Sequence, residues 1–285
     1  METVNLKVTE MRDTDSSISK TSANALFNFM GKYDFLEMAL LHMCFFPRYY
    51  PENIKYLNLK VDGQEIDEWY IPMTCFCDIP LHQIAHHAVG NGKNGYGKFG
   101  IALQKDFGIK NNIMPVHYLN TDDNETADLR LAIDTAVNML GTENGNEKML
   151  NLANYLFDYI CMVKPLKGIM QKDGKNINKN FYEEHEWRYV PSLMGGDLPT
   201  ILYKHDEITM ETSNHLYTNS LAFSKNGPLN FDVDDIRYLF VDTLENRDRI
   251  IRFIREKQRG KRLSKMKKDV LISKILVYDE LREDW

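Results

Sequence analysis

The 285-residue sequence contains no apolar run approaching the ~20 residues that a membrane-crossing helix needs. Its first twenty residues, Met1 to Lys20, mix charges with Ser and Thr and lack the apolar segment of an export signal. Membrane insertion and secretion are therefore not expected, and the cytoplasm is the expected compartment. Cysteine is scarce: Cys44, Cys75, Cys77 and Cys161 are the only four, and only Cys75 and Cys77 are close in sequence. Bridging two thiols two residues apart in a strand would distort the pleat. Reduced thiols among apolar neighbours are expected instead, as a reducing compartment favours. Positive charge is not in surplus, since 35 Lys and Arg face 41 Asp and Glu for a formal net charge of -6. Wholesale nucleic-acid wrapping needs the opposite balance, so any such contact must be local.

Familiar site motifs are missing too. His82, His86 and His87 share a stretch with helical spacing, but the glutamate of H-E-x-x-H is absent and no third ligand is evident, so no metal is expected. The glycines from Gly90 to Gly100 match neither phosphate-loop pattern, because a strand and not a helix follows them. They read as a flexible lead-in to a hairpin.

What is present is a globular composition: 43% hydrophobic and 11% aromatic residues, on a chain long enough to bury a core without disulfides or metal. Residues 1–22 carry few large apolar groups and read as a flexible N-terminal arm, with a candidate edge strand at Val4 to Val8. Residues 23–285 read as one α+β domain. Ala25 to Phe29 predicts a buried strand that feeds a helix over Tyr33 to Met43, where Phe35, Leu36, Ala39, Leu40 and Met43 fall at helical spacing. Pro47 and Pro51 predict a loop over Phe45 to Glu52. Met73 to Phe76, between Pro72 and Pro80, predicts a short buried strand, and Leu81 to Val89 a helix. Phe99 to Leu103 and Met114 to Leu119 predict strands separated by a turn at Lys105 to Phe107.

Leu129, Ile133, Ala136, Val137 and Leu140 then mark one helix and Met149 to Met162 a second, with Gly141 to Asn146 between them. Lys167 to Asn180 is polar and predicts a loop with solvated lysines, before a strand from Glu186 to Pro191. Leu221 to Phe223 and Ile236 to Val241 predict strands. Glu245 to Gln258 predicts a helix, Arg259 to Lys268 a basic loop and Val270 to Tyr278 a last strand. Scattered short strands and segregated helices, without repeats, point to a mixed or antiparallel sheet core.

The segment Ile71 to Leu119 carries the most specific pattern: IPMTCFCDIPL, a His pair, GYGKFGIALQKDFG and IMPVHYL. It resembles the AbiGi family of bacterial abortive-infection, or phage-resistance, proteins. There a proline and an apolar strand precede a Cys-Phe-Cys-Asp-Ile-Pro core, and a His and a Tyr-Gly-x-Tyr/Phe-Gly-Ile strand follow. The likeness extends more weakly to Phe27 to Met43 and to the E-x-E-W-R segment Glu184 to Arg188, about two thirds of the chain in all. It implies a two-component anti-phage system in which this member is the antitoxin-like partner of a second protein.

A more remote resemblance, in the order of elements, is to bacterial proteins related to ADP-ribosyltransferases. It implies NAD as a substrate and a late-strand carboxylate that balances the positive charge of a ribosyl centre as nicotinamide departs. On that reading Glu186 is the catalytic carboxylate and Glu184 assists from the same strand face two residues earlier. Asn28, Arg48, Asp78 and Tyr96 are the NAD-binding candidates, with Asn28 in the place of a His or Arg in those relatives. Plainer readings stand beside these. Glu184 to Arg188 also fits an amphipathic edge strand whose Glu and Arg pair across a sheet, and Asp78 a turn or cap. The basic run Arg247 to Lys268 reads either as a solvated surface or as a local nucleic-acid or acidic-partner contact.

Overall fold

The computed structural model describes residues 23–61, 63–89, 95–121, 124–140, 147–172, 175–193, 198–203, 210–256 and 263–283. The N-terminal arm with its candidate strand, Gly90 and Gly92, the 141–146 connection and the centre of the basic run lie outside the described residues. The chain opens with β1 (Ala25–Met30) and α1 (Tyr33–His42), as the periodicity predicts. The next stretch is not a loop. It forms β2 (Cys44–Phe45) and β3 (Arg48–Asn53). Pro51 is tolerated there because β3 has one strand partner among the described residues, so no second ladder asks for its missing N–H. After the short hairpin β4 (Lys60–Val61) and β5 (Gln64–Glu65), the expected short strand proves to be ten residues long, β6 (Glu68–Cys77).

Then come α2 (Ile84–Val89) and β7 (Phe99–Gln104). The predicted turn after β7 is a helix, α3 (Lys105–Lys110), seated by Phe107 on the core and by Gly108, where an added Cβ would meet Leu26 Cδ1 at 2.5 Å. The following strand is split into β8 (Ile113–Pro115) and β9 (His117–Leu119), which join different sheets. The helix pair is α4 (Glu125–Leu140) and α5 (Glu147–Ile160). β10 (Val163–Pro165) then runs parallel to β9.

The polar segment read as a loop is instead a β-hairpin, β11 (Lys167–Lys172) and β12 (Lys175–Asn180). Its strands pair only with each other among the described residues, and Lys179, not an apolar side chain, turns inward to pair with Glu184. β13 (Glu186–Tyr189) and β14 (Leu202–Tyr203) follow. Leu221 is no strand residue: it closes α6 (Met210–Leu221) and is fully buried beside Tyr49 and Leu193. The chain ends with β15 (Leu229–Asn230), β16 (Ile236–Val241), α7 (Leu244–Glu256), α8 (Lys265–Ile272), β17 (Ile275–Val277) and α9 (Tyr278–Glu283). Part of the predicted basic loop and the start of the predicted last strand are thus helical.

The fold is α+β. A nine-stranded mixed sheet runs in the order β17-β16-β7-β1-β6-β13-β8, with β3 and β14 also paired to β6. Only β16 and β17 are parallel neighbours within it. Because side chains alternate across a strand, the register sorts the sheet into two faces. Leu26, Met30, Phe76, Ile101, Leu103 and Trp187 pack with α1 and α7 in the largest cluster. Ala25, Phe27, Cys77, Ala102 and Phe240 face the other way, towards Ile84, Ala88 and Tyr278. Side chains such as Leu26 and Phe76, with no exposed area, contribute about 1.5–3 kcal/mol each. α4 and α5 set Ile133, Ala136, Ala153, Leu156 and Ile160 against Trp69 and Ile71 of β6 and against Ile54 and Leu57.

Candidate functional site: a buried chain of alternating charges

β13 lies antiparallel to β6, with Glu186 opposite Cys77 and Arg188 opposite Cys75. The two-residue period therefore puts Glu186 and Arg188 on one face, where both are buried and Arg188 has no exposed area. Arg188 Nε donates to Glu186 Oε1 at 2.7 Å, Nη2 to Glu52 Oε1 at 3.0 Å and Nη1 to the Cys161 carbonyl at 2.9 Å. Lys164 Nζ donates to Glu186 Oε2 at 2.7 Å and to Glu184 Oε2 at 2.8 Å. Glu184 Oε1 accepts from the Tyr96 hydroxyl and is ion-paired with Lys179, which also donates to the Tyr96 oxygen. Glu52, Arg188, Glu186, Lys164, Glu184 and Lys179 thus alternate in sign, three carboxylates against three cations. The backbone N–H of Glu186 adds a bond to the Tyr118 hydroxyl at 2.9 Å.

Burial opposes charge on Glu186, Glu184, Lys164 and Arg188, and the neighbours outweigh it. Desolvation pushes the Glu186 carboxyl up, but Arg188 and Lys164 hold it well below the usual carboxylate range. Glu184 is lowered likewise, its burial overcome chiefly by Lys164. Lys164 and Arg188 are raised well above their ordinary values, mainly by Glu186 against their own desolvation. The same burial, reinforced by Glu186, drives the Cys75 and Cys77 thiols up, so neither is an activated nucleophile. Cys77 Sγ lies 3.0 Å from His87 Nε2, and the His87 ring stacks on Tyr96 at 4.7 Å. All four cysteines are free.

Of the six residues singled out from sequence, the fold joins three: Glu186, Glu184 and Tyr96. Glu184 is not on the strand with Glu186. It ends a 3-10 turn, Phe181–Glu184, and His185 separates the two with a left-handed φ of 43°. They meet through Lys164 and not through strand alternation. Asn28 faces away from Glu186: Phe27 and Glu186 both register with Cys77, so the neighbouring Asn28 belongs to the opposite face. Its amide donates to the Cys75 carbonyl at 2.8 Å. Arg48 is an exposed residue at the start of β3, its guanidinium 6.0 Å from the Tyr50 ring. Asp78 is ion-paired with Lys105, its backbone N–H bonds the His185 carbonyl at 3.0 Å, and its Oδ1 has no hydrogen-bond partner among the described residues. Lys164 and Lys179 lay within the site unseen, since their strands look like ordinary polar chain. Arg188, two residues after Glu186, carried the one readable signal.

The family model described as "Putative abortive phage resistance protein AbiGi, antitoxin" matches residues 43–242. The chain belongs to the AbiGi family. It is also 52% identical, over 249 residues, to "Abortive phage resistance protein AbiGi" of Lactococcus lactis subsp. cremoris, a match covering 85% of this chain and all of that protein. No solved structure matches. Every member of the charge chain, from Glu52 to Arg188, falls within the AbiGi match, whereas Asn28 falls outside it.

Elsewhere on this AbiGi chain three cations of the basic run, Arg247, Arg249 and Lys267, are tied to the protein's own acids. Arg249 lies 3.7 Å above the Tyr33 ring and pairs with Asp34 and Glu37. Arg247 pairs with Asp248, Lys267 with Asp232 and Asp234, and Lys268 donates to the Arg255 carbonyl. A shallow cleft lies apart from the charge chain, between the start of α7 and α9, and is lined by Glu245, Asp279, Glu280 and Glu283. No described helix is long and apolar enough to cross a membrane.

Proposed function

We propose that this protein serves abortive phage defence as the antitoxin-like member of a pair, and that it works by binding a partner protein and not by catalysis. Family membership supports the defence role, and the family description names an antitoxin. One observation carries the non-catalytic reading. Both oxygens of Glu186 are held at 2.7 Å by cations of the same chain, so its charge is already balanced by Arg188 and Lys164 and both oxygens serve the protein's own contacts. Such a cluster fixes the relative positions of β3, β10, β12 and β13, which suits a rigid binding scaffold. The test is co-expression with a candidate partner toxin: growth should stop with that protein alone and resume when this chain is added. Arrest of growth by this chain alone would overturn the reading.

A second reading, NAD-dependent ADP-ribosyl transfer, is favoured by the convergence of Glu186, Glu184 and Tyr96 at one end of β6. It requires a ligand to displace Arg188 or Lys164 from Glu186, and an arginine or ribose contact other than Asn28. Nicotinamide release by the purified protein, with and without extract of infected cells, tests it. Local nucleic-acid contact through Arg247 to Lys268 would show as salt-sensitive retention of the protein on a duplex.

A further inference from the structure

Among the described side chains, α4 and α5 fully bury a narrow stripe, Ile133 and Ala136 on the first and Ala153, Leu156 and Ile160 on the second, with Leu129 and Tyr159 partly buried beside it. Large apolar side chains nevertheless continue around both helices. Leu131 is 65% exposed, Tyr155 64%, Leu150 48%, Leu152 43%, Val137 43% and Phe157 37%. At ~100° per residue, Leu131 lies ~200° from Ile133, on the side of α4 away from the core. Leu152, Tyr155 and Tyr159 form one row at i, i+3 and i+7, and the rings of Tyr155 and Tyr159 stack at 6.4 Å. Helices of a finished globular surface carry polar residues at such positions, and a concentration of exposed apolar groups marks a contact site.

The charges say what kind of partner fits. The two helices carry five acidic residues against two basic ones, a formal -3 out of the -6 of the whole chain. An acidic face repels the phosphates of nucleic acid and of anionic lipid headgroups. It also disfavours a two-fold dimer through this surface, which would set the same acids against each other. We infer that the outer face of the α4–α5 hairpin is the docking surface for a different protein, one that presents an apolar patch ringed by Lys and Arg. This rests on the partner-binding reading above and names the surface through which it works.

The test uses the full chain co-expressed with its growth-arresting partner. Leu131→Gln, Leu152→Gln and Tyr155→Gln are combined in one variant, with Asp128→Lys and Asp134→Lys combined in another. Because all five side chains are exposed, both variants should melt with the wild type, and both should rescue growth from the partner about tenfold less well or worse. A photocrosslinking benzoylphenylalanine in place of Tyr155 should capture one basic protein, and the capture should vanish in the Asp128→Lys, Asp134→Lys background. The same probe at Phe223, which is 90% exposed elsewhere, should capture nothing. Growth rescue retained by the Gln variant, crosslinking to a second copy of this chain or to nucleic acid, or no adduct at all would overturn the inference. Failure of the wild type to rescue growth would instead sink the antitoxin reading, and this inference with it.

Discussion

Changing Glu186 to Gln keeps the side chain's shape and removes its charge, which separates a scaffold from an active site. In the wild type three carboxylates balance three cations inside the protein. With Gln at position 186, Arg188 and Lys164 share only Glu52 and Glu184, and one buried positive charge is uncompensated. Breaking a buried pair in this way costs about 3–5 kcal/mol, and the amide oxygen recovers about 1 kcal/mol by still accepting one hydrogen bond. A net loss of about 2–4 kcal/mol corresponds, at about 2 °C per kcal/mol for a chain of this size, to a melting point lower by about 4–8 °C. The assay is thermal or urea unfolding of the two purified proteins. The double variant Glu186→Leu, Arg188→Met removes one charge of each sign and restores the balance. It should therefore lose less than the sum of its single variants, by about 2 kcal/mol or more. A Glu186→Gln protein that melts within about 1 °C of the wild type would refute the claim that this carboxylate holds the fold together.

Acid should act on the same cluster. The folded-state pKa values of Glu186 and Glu184 lie below an unfolded glutamate's ~4.3, so their contribution is complete above that pH and is lost as pH falls through the depressed values. The urea midpoint should drop below about pH 4, and less steeply in Glu186→Gln, which has one fewer such group to protonate. Gly97→Ala should destabilise the protein by about 2–3 kcal/mol in the same assay, because Gly97 has φ +112° and an added Cβ would fall 2.1 Å from the Met30 carbonyl oxygen. Cys161, its thiol pushed up to about 12 by burial, should react with iodoacetamide at pH 8 about a thousandfold more slowly in the folded than in the unfolded protein, as followed by mass spectrometry.

Elements with a buried apolar face were legible in the sequence. β1, α1, β7, β16 and α7 appear where their periodicity places them, because a core imposes a pattern. The misread segments had no such pattern to show. β11 and β12 pair only with each other among the described residues and turn Lys179 inward, β3 contains a proline at a position with no second ladder, and α3 is held by Phe107 and Gly108 packing onto distant residues. Among the site residues, Glu186 and Arg188 could be paired from their spacing. Lys164 and Lys179 could not, since they meet Glu184 across 20 residues and from a separate hairpin, and single-sequence spacing carries no information about that approach. The opposite face taken by Asn28 depended on the register of β1 against β6, a tertiary fact.

Arg188 reaches Glu52 across 136 positions of the chain, and that span has a kinetic consequence. A chain that has docked β13 before β3, or the hairpin before β10, would strand a lone ion in a dry interior, a state several kcal/mol uphill. Partly assembled forms are thereby kept scarce, and the segments should lock together late and in a single step. A product cut short before Glu184 would leave Lys164 without either of its carboxylates, and such a fragment should be recognised by the cell as unfolded.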